Sequence, residues 1–192
     1  MKNTQIKEIR QLSEQIESTD RVVSGYAVVF DSPSKNIGWI ETIQRGAITE
    51  ETIANSDVLA KFDHDDSKVL ACSKRGVGSL KLELDDTGLK YSFESPNTQA
   101  GNELLEYIKR GDITGSSFCF MVSRDEGSEK WYKEDGMIYR TIMKIDKLYD
   151  ISPVFLPAYE ETSCSKRFAE IELTSKEIDN KMNLLQAEID IL

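Results

Sequence analysis

The sequence holds one histidine, His64, so any proton relay near neutral pH has to be argued from that residue. It follows a short apolar run, in Phe62-Asp63-His64-Asp65-Asp66, where an element ends and a loop can hold a functional side chain on a rigid frame. The same five residues also suit a solvated acidic turn. A second feature is Thr114-Gly115-Ser116-Ser117-Phe118-Cys119-Phe120. Laid out as a strand, it puts Phe118, Phe120 and Val122 on one face with Ser116, and Ser117, Cys119 and Met121 on the other. The aromatic face is the core face. Ser117 is then presented away from it, beside a small Cys119 that leaves room. A serine hydroxyl becomes a nucleophile when a base lies within hydrogen-bond reach, and His64 is the base available. Cys119 is the rival nucleophile, as a cysteine–histidine pair.

These residues need elements to bring them together, and the middle of the chain reads mostly as strands. Arg21–Phe30 is β-branched and aromatic and stops at the turn cluster Asp31-Ser32-Pro33-Ser34. Trp39–Ile43 and Val58–Phe62 are short strand candidates, and Gly46–Asn55 reads as a short helix. Ser79–Leu84 and Leu89–Phe93 alternate in period two around Asp85-Asp86-Thr87-Gly88, which predicts a hairpin. Thr98–Arg110 sets Leu104, Leu105 and Ile108 on one helical face, and Gly111 supplies the stop. Ser116–Ser123 is strand-like. Lys130–Lys133 with Met137–Ile145 predicts a second hairpin, and Tyr149–Leu156 a last strand before Pro157. The expected class is α+β, mostly β.

The ends read differently. Residues 1–20 form an N-terminal segment that fits either a helix or an opening strand pair. The main domain is expected over 21–165. Over 166–192, Ile178, Met182, Leu185, Ile189 and Leu192 step by three and four residues, an amphipathic helix that packs on its own domain or pairs with another chain.

Composition narrows the function classes. With 34 acidic and 24 basic residues the formal net charge is −10, which disfavours nucleic-acid binding. No apolar run approaches the roughly 18–20 residues of a membrane span. The basic N-terminus has no apolar segment behind it, so we read no signal peptide and expect a cytosolic location. Cys72, Cys119 and Cys164 are far apart and odd in number; free thiols are expected, with no metal site and no cofactor.

Short motifs in order add a resemblance. Gly25-Tyr26-Ala27-Val28-Val29-Phe30, Glu41 through Gly46-Ala47, Phe62-Asp63-His64-Asp65, Asp86-Thr87-Gly88-Leu89, Gly111 through Phe120, and Asp150-Ile151-Ser152-Pro153-Val154 with Pro157-Ala158-Tyr159 together resemble the tailed-phage prohead maturation proteases, distant relatives of the herpesvirus assemblins. The resemblance implies a small β-barrel with surrounding helices, Ser117 as nucleophile and His64 as general base. Ser116 fills a neighbouring variable position and ranks below Ser117. Two departures stand out: Asp63 where the family has asparagine before the histidine, and Cys119 at a glycine-like position.

In the herpesvirus relatives a second histidine orients the first. One histidine forbids that here, so a third member must be an acid that fixes the imidazole tautomer. Asp150 is the first candidate because it fills the acidic position of the closing motif; Asp63 and Asp65 rank lower. The implied function is serine endopeptidase action on the scaffolding segment of the major capsid protein and on the protease itself. The implied location is inside the procapsid, in a bacterial host. The alternative is an inactive scaffold or assembly protein of the same fold, working through its terminal helices.

Overall fold

The computed structural model describes residues 7–12 and 16–155. In chain order the elements are β1 (Glu8–Leu12), β2 (Glu17–Thr19), β3 (Val22–Val29), β4 (Ile40–Ile43), α1 (Glu50–Ala54), β5 (Asp57–Lys61), β6 (Val69–Lys74), β7 (Val77–Gly78), β8 (Lys81–Leu84), β9 (Gly88–Glu94), α2 (Gln99–Arg110), β10 (Ile113–Val122), β11 (Glu129–Glu134), β12 (Met137–Ile142) and β13 (Ile145–Phe155). They form a six-stranded sheet in the order β1-β10-β13-β5-β6-β7, a four-stranded sheet β2-β3-β9-β8 and a three-stranded sheet β11-β12-β4. The mostly-β expectation holds. The small barrel does not: among the described residues the six-stranded sheet ends on β1 at one side and β7 at the other, and none of the three sheets closes on itself.

The described part of the N-terminal segment is strand, not helix, because β1 pairs with β10 and β2 with β3. Both predicted hairpins form. In the first, β9 opens on Gly88, where a Cβ would lie 1.9 Å from the Val28 carbonyl oxygen, so β3 can approach only a glycine. In the second, the sequence ran Met137–Ile145 together. The chain breaks at Met143-Lys144, whose amides both turn to Ser128 O, and Ile145 begins β13. The strand Val69–Lys74 was not read from sequence. The 166–192 segment, Cys164 and Pro157-Ala158-Tyr159 lie outside the described residues.

Helix α2 follows its sequence signals. Thr98 caps its start, Gly111 ends it at φ 77°, and Leu104 is buried. Its Tyr107 ring packs 5.9 Å from Phe62 and 5.1 Å from Phe155. That aromatic group fixes the end of β5 against the end of β13, next to the turn that carries His64. Among the described residues no helix is long and apolar enough to cross a membrane.

Candidate active site

Strand pairing sets the site. In the antiparallel pair of β10 and β13, Ser117 lies opposite Ser152 and Cys119 opposite Asp150. Residues i and i+2 of a strand share a face, so Ser117, Ser152 and Asp150 look the same way. β5 runs parallel on the other side of β13, with Leu59 opposite Asp150. The chain leaving β5 therefore emerges over this face, and His64 is the third residue after it.

A tight turn aims the imidazole. The Asp65 amide donates to Phe62 O at 3.0 Å, and Asp63 and His64 between them have φ of 50° and 59°. Two successive positive φ values are the pattern of a type I′ turn, and asparagine, aspartate and glycine tolerate that region best. Asp63 in place of asparagine thus preserves the local geometry. The Asp63 amide donates to Pro153 O at 3.0 Å, tying the turn to β13.

The result is an unbroken line. His64 Nε2 is 2.6 Å from Ser117 Oγ and His64 Nδ1 is 2.7 Å from Asp150 Oδ1. Asp63 and Asp65 stay off the ring line; Asp65 Oδ1 instead accepts from the Ser67 amide at 2.9 Å and hydroxyl at 2.6 Å. Ser116 faces the other way, its Oγ 2.8 Å from the hydroxyl of buried Tyr91. Two side chains not singled out from sequence join the acid. Ser152 Oγ donates to Asp150 Oδ1 at 2.9 Å, and Lys61 Nζ approaches Oδ2 at 3.4 Å while pairing with Asp66 at 2.7 Å. Ser152 lay inside a quoted motif. Lys61, the last residue of β5, gave no signal of its own in the sequence.

Burial alone would raise the Asp150 pKa. The hydrogen bond from His64, the charges of His64 and Lys61, and the hydrogen bond from Ser152 outweigh it and hold the acid below the ordinary 3.8. Asp150 is a carboxylate at neutral pH, so Nδ1 carries the proton it donates. Cys119 behaves oppositely: burial, then the charge of Asp150, pushes its thiol up to about 11. A thiol so placed is not a thiolate at neutral pH. Cys119 and Cys72 are both unpaired. Among the described residues no cluster of His, Cys, Asp and Glu is arranged to hold a metal ion.

One expectation fails on this face. The room expected around Ser117, opposite the aromatic face, is not there: nearly all of β10 is buried on both faces and Ser117 is 0% exposed. β1 pairs along β10 with Gln11 opposite Ser117, and the Ser117 hydroxyl lies 2.8 Å from the Arg10 carbonyl oxygen.

The family model for the caudovirus prohead serine proteases matches residues 7–177. No curated protein matches the chain. Among solved structures, the capsid assembly protease gp21 of bacteriophage T4 is similar in fold, with a TM-score of 0.55 at 12% identity, covering 81% of this chain and 100% of that one.

Proposed function

This chain belongs to the caudovirus prohead serine protease family, and from that premise we propose that it is a serine endopeptidase using Ser117, His64 and Asp150. The observation that carries the proposal is the line of two short hydrogen bonds, 2.7 Å and 2.6 Å, from Asp150 through His64 to Ser117. His64 Nε2 takes the Ser117 hydroxyl proton as Oγ bonds to the scissile carbonyl carbon. The imidazolium donates through Nδ1 to Asp150, which offsets its charge. The carbon–nitrogen bond then breaks as Nε2 returns the proton to the leaving amine. Water, activated by the same imidazole, releases the acyl group from Ser117. Lys61 and Ser152 hold the Asp150 carboxylate in place.

The substrates proposed are the scaffolding segment of the major capsid protein and the protease itself, inside the procapsid of an infected bacterium. Co-expression of this chain with its capsid protein tests the reading. Processing should stop with Ser117→Ala and persist with Cys119→Ala. Processing that survives Ser117→Ala contradicts it. Processing lost only with Cys119→Ala would transfer the chemistry to the thiol.

A further inference from the structure

The carboxylate of Asp150 is shared, and its second partner is shared again. His64 Nδ1 lies 2.7 Å from Oδ1, while Lys61 Nζ approaches Oδ2 at 3.4 Å. β5 runs parallel to β13 with Leu59 opposite Asp150, and Lys61, two residues on, shares the face of Leu59. The chain then turns through His64 and brings Asp66 back to Lys61, with Oδ1 2.7 Å from Nζ. One ammonium thus spans the histidine turn and stands between two acids in opposite settings. The Asp150 side chain is 7% exposed and the Asp66 side chain 90%. Burial opposes the charge on Lys61. The hydrogen bond to Asp66, the charges of Asp150 and Asp66, and the hydrogen bond to Asp150 outweigh it and hold the ammonium above its ordinary 10.5. Lys61 is therefore a fixed cation throughout the range in which an imidazole titrates.

The other charged groups around the ring have partners or positions of their own. Lys7 stands over the Tyr149 ring at 4.0 Å, Lys68 pairs with Asp65 at 3.5 Å, and Lys74 lies opposite Asp57 across β5 and β6. Asp63 and Asp65 flank the ring within the turn itself. From β10 and β13, Ser117 and Ser152 reach the ring nitrogens as neutral hydroxyls. Cys119 and Tyr149 line the same cleft as His64. Burial pushes the thiol up to about 11 and the phenol above its ordinary 10.0, so neither is charged near neutrality. Lys61 disfavours a second positive charge on the imidazole. Asp66 does the reverse, through its own charge and by drawing Lys61 away from Asp150.

We propose that Lys61 and Asp66 are positioning residues of the triad, a counterweight to the Asp150 carboxylate that sets the pH at which His64 becomes a free base and the protease begins to work. The proposal rests on His64 serving as the general base. Asp150 stabilises the imidazolium that catalysis forms, and by the same attraction it keeps the base protonated. Lys61 offsets that attraction, and Asp66 weakens the offset from the solvent side. The exposed half of this arrangement is open to screening by salt and the buried half is not.

The single histidine of the chain makes the test direct: NMR of the full chain, isotope-labelled at histidine, follows one imidazole against pH. Lys61→Met removes the cation and should raise the titration midpoint by about 0.5–1 pH unit. Asp66→Asn removes the exposed acid and should lower it by about 0.2–0.5 pH unit. Lys61→Arg keeps the charge and should return the midpoint to the wild-type side of the Lys61→Met value. Lys61→Met and Asp66→Asn break the same ion pair, so a merely structural strut moves the midpoint the same way in both, or in neither. Either result overturns the proposal. Asp66→Asn changes an exposed side chain and guards against a folding defect in Lys61→Met; a midpoint it leaves unmoved or raises is enough to overturn the proposal. The acid limb of fluorophosphonate labelling at Ser117 should follow the midpoint in each variant. Opposite shifts with no labelling of Ser117 in any form support the coupling and overturn the protease reading instead.

Discussion

Two buried polar networks lie on opposite faces of the β1–β10 pair. On one face, Asp150, His64 and Ser117 form a line that ends at a hydroxyl, which also reaches the Arg10 carbonyl oxygen at 2.8 Å. On the other, Glu8, Arg10, Glu41, Glu129 and Arg140 form a closed knot in which guanidinium donors meet carboxylate acceptors on several sides. The line contains an imidazole with a partner on each ring nitrogen; the knot contains only guanidinium and carboxylate groups. Burial makes both rigid, but only the line leaves a proton with somewhere to go.

Breaking each network should therefore fail in a different measurement. Ser117→Ala should lower turnover by about 10⁶-fold, as for loss of a triad nucleophile, with the melting temperature nearly unchanged. Asp150→Asn keeps the volume but loses the carboxylate that fixes the tautomer, and should lower kcat by about 10⁴-fold. Arg140→Ala opens the knot and leaves Glu41 buried without its second guanidinium; it should cost about 3–5 kcal/mol of stability in denaturant unfolding. A loss of turnover without a loss of stability in Arg140→Ala would erase the distinction drawn here.

Acid should distinguish the networks more gently. Burial raises the pKa of Glu8, but its hydrogen bond and charge interaction with Arg140, and then those with Arg10, bring it below the ordinary 4.5. Asp150 is likewise held below 3.8. A carboxylate whose folded pKa is depressed adds stability above its unfolded value and loses it as pH falls through the folded one. Stability should thus hold down to about pH 4.5 and decline below it, first from Glu8. Asp150→Asn should flatten the part of that decline below about 3.8 and leave the upper part in place. Smallest of all, Ser152→Ala removes one hydrogen bond to Asp150, worth about 1 kcal/mol, or roughly fivefold in kcat.

The two networks also differ in how readable they were. The line could be found because its members are chemically scarce or sit in compact motifs: one histidine, a serine in a recognisable strand start, an acid in a closing strand. The knot could not. Glu8, Arg10, Glu129 and Arg140 are common surface residue types scattered over the chain, and only the register that sets Arg140 opposite Glu41, and β1 along β10, brings them together. The same blindness hid the burial of Ser117. Alternation in β10 predicted which face Ser117 occupies, but not that an N-terminal strand adds to that edge. Gly111 and the Asp85–Gly88 turn were legible because they act locally. The expected barrel failed because closure depends on which strands meet at the sheet edges, a long-range property that no short motif carries.

The account turns on which atom attacks. After incubation of the protein with a fluorophosphonate, peptide mapping by mass spectrometry should find a single adduct on Ser117, and the adduct should be lost in His64→Ala. An adduct on Cys119 or Ser116, or undiminished labelling of Ser117 without His64, would contradict it.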